Sequence, residues 1–310
     1  MGGAYDIEGD VAGRRAESAG AKSAGYVGAV TIDEVVESLT TLGIAHEVRP
    51  SGADGAILLL PEYGRVLGIW PHGRAENVLW VNQDFFQSLR VGAKDDGWNN
   101  PGGDRVWLAP AAEFLGEGGM VPPAIDPGKF VLSSDRGAAC MANRGEAWAH
   151  QSAVRVKFRV TRRLRPLDEA ALEAAWGPTW LRRAGCEEEL ELELEDSCPL
   201  SVRLWNITQV PPGSEITEGP SGRGRRIVCL EDPDSEHARL LVRSSTASDG
   251  EPGGTGPWPG RRPAAGAPGE FFLLSPPVRP GAKRRLSWKT STCGFSGRSA
   301  EVRRFASTML

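Results

Sequence analysis

No pair of cysteines in this chain is spaced to hold a metal or a redox-active disulfide. The five, Cys140, Cys186, Cys198, Cys229 and Cys293, are odd in number and scattered. Without a CxxC pair or a Cys/His cluster they read as small buried hydrophobes, and no metal site is expected. No apolar run approaches a membrane span, and the N-terminus lacks a signal-peptide hydrophobic region. A cytoplasmic protein without membrane contact is the expectation. The start, MGGAYD, has Asp6 where a myristoylation signal needs Ser or Thr. There is no P-loop, no Gly-rich turn between a strand and a helix, and no nucleophile elbow, so nucleotide and Ser/Cys hydrolase chemistry are not expected, nor is any cofactor. The segment GWNNPGG lies between β-runs and offers phosphate no helix N-terminus. A net charge of −4 makes no electrostatic case for nucleic acid.

What the chain does have is material for a core. It has 310 residues, 40% of them apolar, and ten Trp against three Tyr. Trp both fills cores and serves as a platform for sugar rings. Charge is uneven. From Ser244 onward stand ten of the 36 basic and four of the 40 acidic residues, a balance of +6, which leaves −10 for residues 1–243. Three regions follow. Residues 1–28, Gly, Ala and Ser mixed with charges, read as a disordered leader. Residues 29–243 read as a folded domain, and 244–310 as a Pro/Gly/Arg-rich tail. Two readings of that tail stand side by side: a basic, flexible segment, or GC-rich sequence out of frame that replaces native strands after about Arg243.

Within the domain, Thr31–Leu42 predicts a short amphipathic helix with a Thr N-cap and Glu34 at the third position, ended by Gly43. The period then changes from 3.6 to 2. Residues 56–60, 65–70, 77–81, 105–108 and 129–132 are short β-runs between Gly, Pro and Asn punctuation. Ala153–Val160 alternates Val154, Val156, Phe158 and Val160 with Arg155, Lys157 and Arg159. Glu189–Glu195 alternates Leu with Glu. Pairing those two strands would bring a basic row against an acidic one. Leu167–Trp176 predicts a helical insert, and residues 201–210, 227–230 and 238–242 continue the strands. The fold class expected is mainly β, a large antiparallel β-sandwich with short helical inserts. The sequon Asn206-Ile207-Thr208 falls inside one of these strands.

The richest stretch is Asn99–Pro110, NNPGGDRVWLAP. Its Gly-Gly turn permits close backbone approach, and its strand carries Asp104, Arg105 and Trp107. An Arg fork beside a flat ring can hold sugar hydroxyls and cover an apolar sugar face. The plain alternative is a hairpin whose Arg pairs with its Asp neighbour on the surface.

The succession PEYGRVLGIWPHG, NVLWVN, GGDRVWLAP and LWNITQVPPGS resembles the galactose-mutarotase-like superfamily, the β-sandwiches of aldose 1-epimerases and related sugar-binding domains. More narrowly it is similar to a bacterial group with GGDR-x-Trp-Leu-x-Pro and LW-x-x-TQVPPG strands. The resemblance covers roughly residues 32–243. It implies a concave sheet face open to a sugar, an Arg holding ring hydroxyls, and a His and a Glu as general acid and base at the anomeric centre. Carried onto this chain, Arg105 takes the Arg role, with Asp104, Trp107 and Gln209 as further substrate contacts. His72 and Glu113 are the candidates for acid and base, Glu62 a second acid, and Trp205 a second ring. Two positions depart from the pattern: Ala111 stands where the group has Glu, and the late strand that supplies the catalytic Glu falls in the unusual tail. The expected partner is therefore a sugar or sugar derivative, met either by an aldose-epimerase-like isomerase or by a non-catalytic binding or structural module.

Overall fold

A computed structural model describes residues 30–72, 77–90, 100–116, 120–194, 198–211, 215–218, 226–228, 239–244, 269–274, 278 and 285–296. The leader 1–28 lies outside them. Helix α1 (Ile32–Thr41) precedes strands β1 (Glu47–Ser51), β2 (Gly55–Leu60) and β3 (Arg65–Trp70), helix α2 (Gln83–Arg90), β4 (Asp104–Ala109) and the short α3 (Ala111–Phe114). Then come β5 (Val131–Asp135), β6 (Ala138–Ala149), β7 (Val154–Pro166), α4 (Glu169–Trp176), β8 (Arg182–Leu194) and β9 (Arg203–Val210). The last strands are β10 (Glu215–Glu218), β11 (Arg226–Val228), β12 (Arg239–Ser244), β13 (Gly269–Leu274) and β14 (Arg285–Ser296).

These strands form a six-stranded sheet, β1-β2-β3-β4-β9-β13, and an eight-stranded sheet, β11-β10-β12-β14-β8-β7-β6-β5. Every named pair is antiparallel except β10–β12. The mainly β sandwich read from the sequence is the fold. Its principal core gathers apolar rows from both sheets, including Ile57, Leu59, Val66 and Val106 from the smaller and Val156, Phe158, Leu190 and Leu192 from the larger.

Several local expectations hold in detail. In α1 the Thr31 hydroxyl accepts from the Glu34 N–H, while Glu34 accepts from the Thr31 N–H, a reciprocal capping box. Its buried Ile32, Val35 and Leu39 pack with Leu58, Leu60, Leu67 and Trp70 on the far side of β2 and β3. The insert becomes α4, capped by Asp168. Strands β7 and β8 pair as their opposite charges favour, with Arg163 3.0 Å from Glu191 and Arg165 3.7 Å from Glu187. Cys140, Cys186 and Cys198 are free and buried, and Asn206 of the sequon is buried in β9. The Gly-Gly turn has the role its composition implies: Gly102 and Gly103 have φ of +98° and +76°. A Cβ on Gly103 would lie 2.3 Å from the Val66 carbonyl oxygen, and one on Gly102 2.3 Å from that of Trp80.

Elsewhere the structure departs from the sequence reading. Residues 77–81 form no strand. Val81 makes one bridge to Gly102, and the Asn77 side chain accepts from the N–H groups of Ile69 and Leu79, taking the place of a ladder. Among the described residues of 244–310, β13 pairs with β9 over six residues and β14 with β8 over twelve. Among the described residues no helix is long and apolar enough to cross a membrane.

Candidate functional site

Strand alternation decides what Asp104 and Arg105 can do together. Successive side chains on a strand point to opposite faces, so the adjacent acid and base of β4 are separated by the sheet itself. Asp104 turns toward the larger sheet in phase with Val106 and Leu108. Arg105 turns the other way in phase with Trp107.

On the inner side Asp104 meets Arg162 of β7. Arg162 also donates from Nε to Glu188 of β8 at 2.6 Å and from Nη1 to the Gly64 carbonyl at 2.6 Å. Thr208 donates its hydroxyl to Asp104 Oδ2 at 2.6 Å, and Asn206 Nδ2 donates to Asp104 at 3.2 Å and to Glu188 at 3.1 Å. Arg162 is fully buried, and both acids nearly so. Burial alone would lower the Arg162 pKa, but Glu188 and Asp104 hold it above its ordinary value. Burial, aided by the Asp104 charge and opposed by Arg162, pushes Glu188 up to about 7. The cluster spans the gap between sheets and leaves one negative charge in excess, which adds to burial in favouring the protonated form of Glu188.

That shift has a signed consequence. The unfolded chain releases the Glu188 proton near its ordinary 4.5, and the native state near 7. Between those values the native state binds more protons, so raising the pH removes stability. The thermal midpoint of the wild type should fall from pH 5 to pH 8 relative to that of Glu188→Gln. Parallel pH profiles of the two would show that the carboxyl titrates alike in both states.

The second cluster lies on the other face. Arg105 Nη1 donates to Gln209 Oε1 at 2.7 Å, and the Arg105 guanidinium carbon sits 4.8 Å from the Trp107 ring centroid. Asp126 is the acid here. It accepts from Arg65 Nη2 at 2.8 and 3.1 Å and from Trp107 Nε1 at 2.9 Å, and it lies 4.0 Å from Arg105 Nε. Arg65 also donates to the side chain of Asn100 and the carbonyl of Gly102. Burial, opposed by Asp126, lowers the Arg65 pKa to about 10. Trp205 packs edge-on to Trp107 at 5.8 Å. Arg105, Trp107 and Gln209 are 3%, 5% and 2% exposed, so this cluster is an interior one. The cavity beside Trp107, about 10 Å3 and walled by Phe114, Val121 and Ile125, is smaller than a sugar ring.

Thus three of the four expected substrate contacts, Arg105, Trp107 and Gln209, come together, and Asp104 does not share their face. His72 and Glu113 are not brought to one place. The pairing of Val66 with Asp104 sets the end of β3, and so His72, beyond the first residue of β4, whereas Glu113 follows its last. The Glu113 carboxylate is taken up by Ser152, whose N–H and hydroxyl donate to it at 3.0 and 2.7 Å. Glu62 lies exposed in a 3-10 turn, Pro61–Tyr63. Sequence reasoning missed Arg162, Glu188, Arg65 and Asp126. The first two carried a signal: each falls in phase with an apolar row, Arg162 after Phe158 and Val160, and Glu188 before Leu190 and Leu192. Polar residues in such phase are buried and must be partnered.

No family model matches the chain, and no curated protein matches it. Among solved structures it is similar to the 4-alpha-glucanotransferase from Thermococcus litoralis at 12% identity and a TM-score of 0.41. The match covers 81% of this chain and 37% of that one, so the chain spans little more than a third of that protein's length. A likeness this distant assigns no ligand and no residue.

Proposed function

We infer that the protein is a carbohydrate-binding β-sandwich that holds its ligand without transforming it. The reading rests on the motif resemblance of residues 32–243 and on one geometric observation. Arg105, Gln209 and Trp107, three of the four residues expected to contact a sugar, share one face of β4 and β9. An Arg fork, a side-chain amide and an indole are the groups a polyol needs. The burial of the trio requires that a sugar displace part of what covers it. Binding is favoured over turnover because an acid and a base must reach the same anomeric centre, and His72 and Glu113 flank opposite ends of β4. The aldose-epimerase reading would need a different pair.

Calorimetric titration with D-galactose and D-glucose tests this. Arg105→Lys retains a cation but loses the fork, so it should weaken binding at least tenfold while the thermal transition stays cooperative. A wild type that binds neither sugar, or a folded Arg105→Lys that binds as the wild type does, would overturn the assignment.

A further inference from the structure

A second polar cleft lies away from both clusters, where the β1–β2 turn meets the start of α4 and the segment entering β8. Its volume is about 190 Å3, and its walls include Asp54, Glu169, Trp180, Leu181, Arg182 and Arg183. That is room for roughly six waters, or one small ring, and below the size of drug-like pockets.

The cleft is built on fixed backbone. Gly52 bridges to Asp168, and its N–H donates to the Leu167 carbonyl at 2.8 Å, which ties the turn to the N-terminus of α4. The floor is Arg183, with 2% of its side chain exposed. It donates from Nε and Nη2 to Glu169 Oε1 at 2.9 and 2.6 Å, and from Nη1 to the Gly177 carbonyl. Across the cleft Arg182 Nη1 donates to Asp54 Oδ2 at 3.0 Å, both side chains about half exposed. At the rim stands Trp180, 71% exposed, the most exposed large hydrophobic residue among those described.

The chemistry narrows the ligand. Two acids and two arginines cancel, so neither an anion nor a cation is drawn in by net charge. Each acid spends one carboxylate oxygen on its arginine, leaving Asp54 Oδ1 and Glu169 Oε2 to accept from hydroxyl groups. The half-exposed Arg182 guanidinium can donate to a ring or hydroxyl oxygen. An indole left in water costs apolar exposure that a flat C–H face would relieve. We propose that this cleft binds a single neutral sugar ring, its hydroxyls on Asp54 and Glu169 and its apolar face on Trp180. The site is separate from the Arg105 cluster and stands whether or not that one binds.

Full-length protein labelled with 5-fluorotryptophan gives one fluorine resonance for each of its ten Trp. Trp180→Phe, a surface change, identifies that of residue 180. Titration with D-glucose, D-galactose and D-mannose should shift the Trp180 resonance saturably, with a Kd on the order of 1–10 mM. Asp54→Asn should weaken it at least threefold. Four results would overturn the proposal: no saturable shift with any of the three sugars, a shift from inorganic phosphate or choline in place of sugar, a shift insensitive to Asp54→Asn, or movement confined to the other nine resonances. The last would still be compatible with binding at the Arg105 cluster. A saturable shift at Trp180 alone would support the cleft and count against that cluster, so the two readings fail separately.

Discussion

Arg162→Met should destabilise the protein by about 3–5 kcal/mol, a large fraction of the roughly 5–15 kcal/mol that holds an ordinary domain together. The loss comes from what the arginine leaves behind. Asp104 and Glu188 both depend on its guanidinium, and without it two carboxyl groups face each other between the sheets with, among the described residues, the Asn206 and Thr208 side chains as remaining donors. Urea unfolding reads the effect. Adding Asp104→Asn and Glu188→Leu should recover most of it, because replacing a whole buried ion cluster is often near neutral while breaking one is not. A single variant within about 1 kcal/mol of wild type would mean the cluster is hydrated and stabilises nothing.

Truncation after Arg243 should abolish cooperative folding. The cut removes β13, which pairs along β9, and β14, which lies between β8 and β12. It leaves β8 with an unpaired edge in the middle of the larger sheet and makes β9 the bare edge strand of the smaller one, and such edges recruit other chains. Differential scanning calorimetry should find no sharp transition, and the truncated protein should aggregate. A transition at the wild-type midpoint would show that residues 244–310 are foreign to the fold.

How far the sequence could be read depends on whether a strand has one apolar face. Residues 153–160 and 189–195 alternate cleanly and announce their strands, their charges and their pairing. Strand β6, AACMANRGEAWA, hides its inner row because Ala139, Ala147 and Ala149 carry little hydrophobic signal. In β14, Leu286 and Trp288 start an alternation that Thr290 and Thr292 continue in residues scored as polar but suited to strands. That weak alternation is why β14 does not stand out from the Pro/Gly/Arg-rich sequence around it. For the site, residue types were legible and their directions were not. DRVWLA shows an acid beside a base, but only the pleat sends Asp104 to Arg162 and Arg105 to Gln209. Asp126, the acid that does accompany Arg105, is far away in a Pro-rich loop and could not be matched to it by spacing.

The place of β14 also sets an order of events during synthesis. β8 ends at Leu194 and its second neighbour begins at Arg285, so roughly 90 residues must emerge before the larger sheet can close. At about 5–20 residues per second the ribosome needs on the order of ten seconds for them, while local collapse takes well under a millisecond. Throughout that interval a nascent chain carries the acidic strand Glu187–Leu194 with one side bare. The row of glutamates along it repels other copies of itself, so the charge that selects β7 as a neighbour also protects the unfinished protein from its own kind.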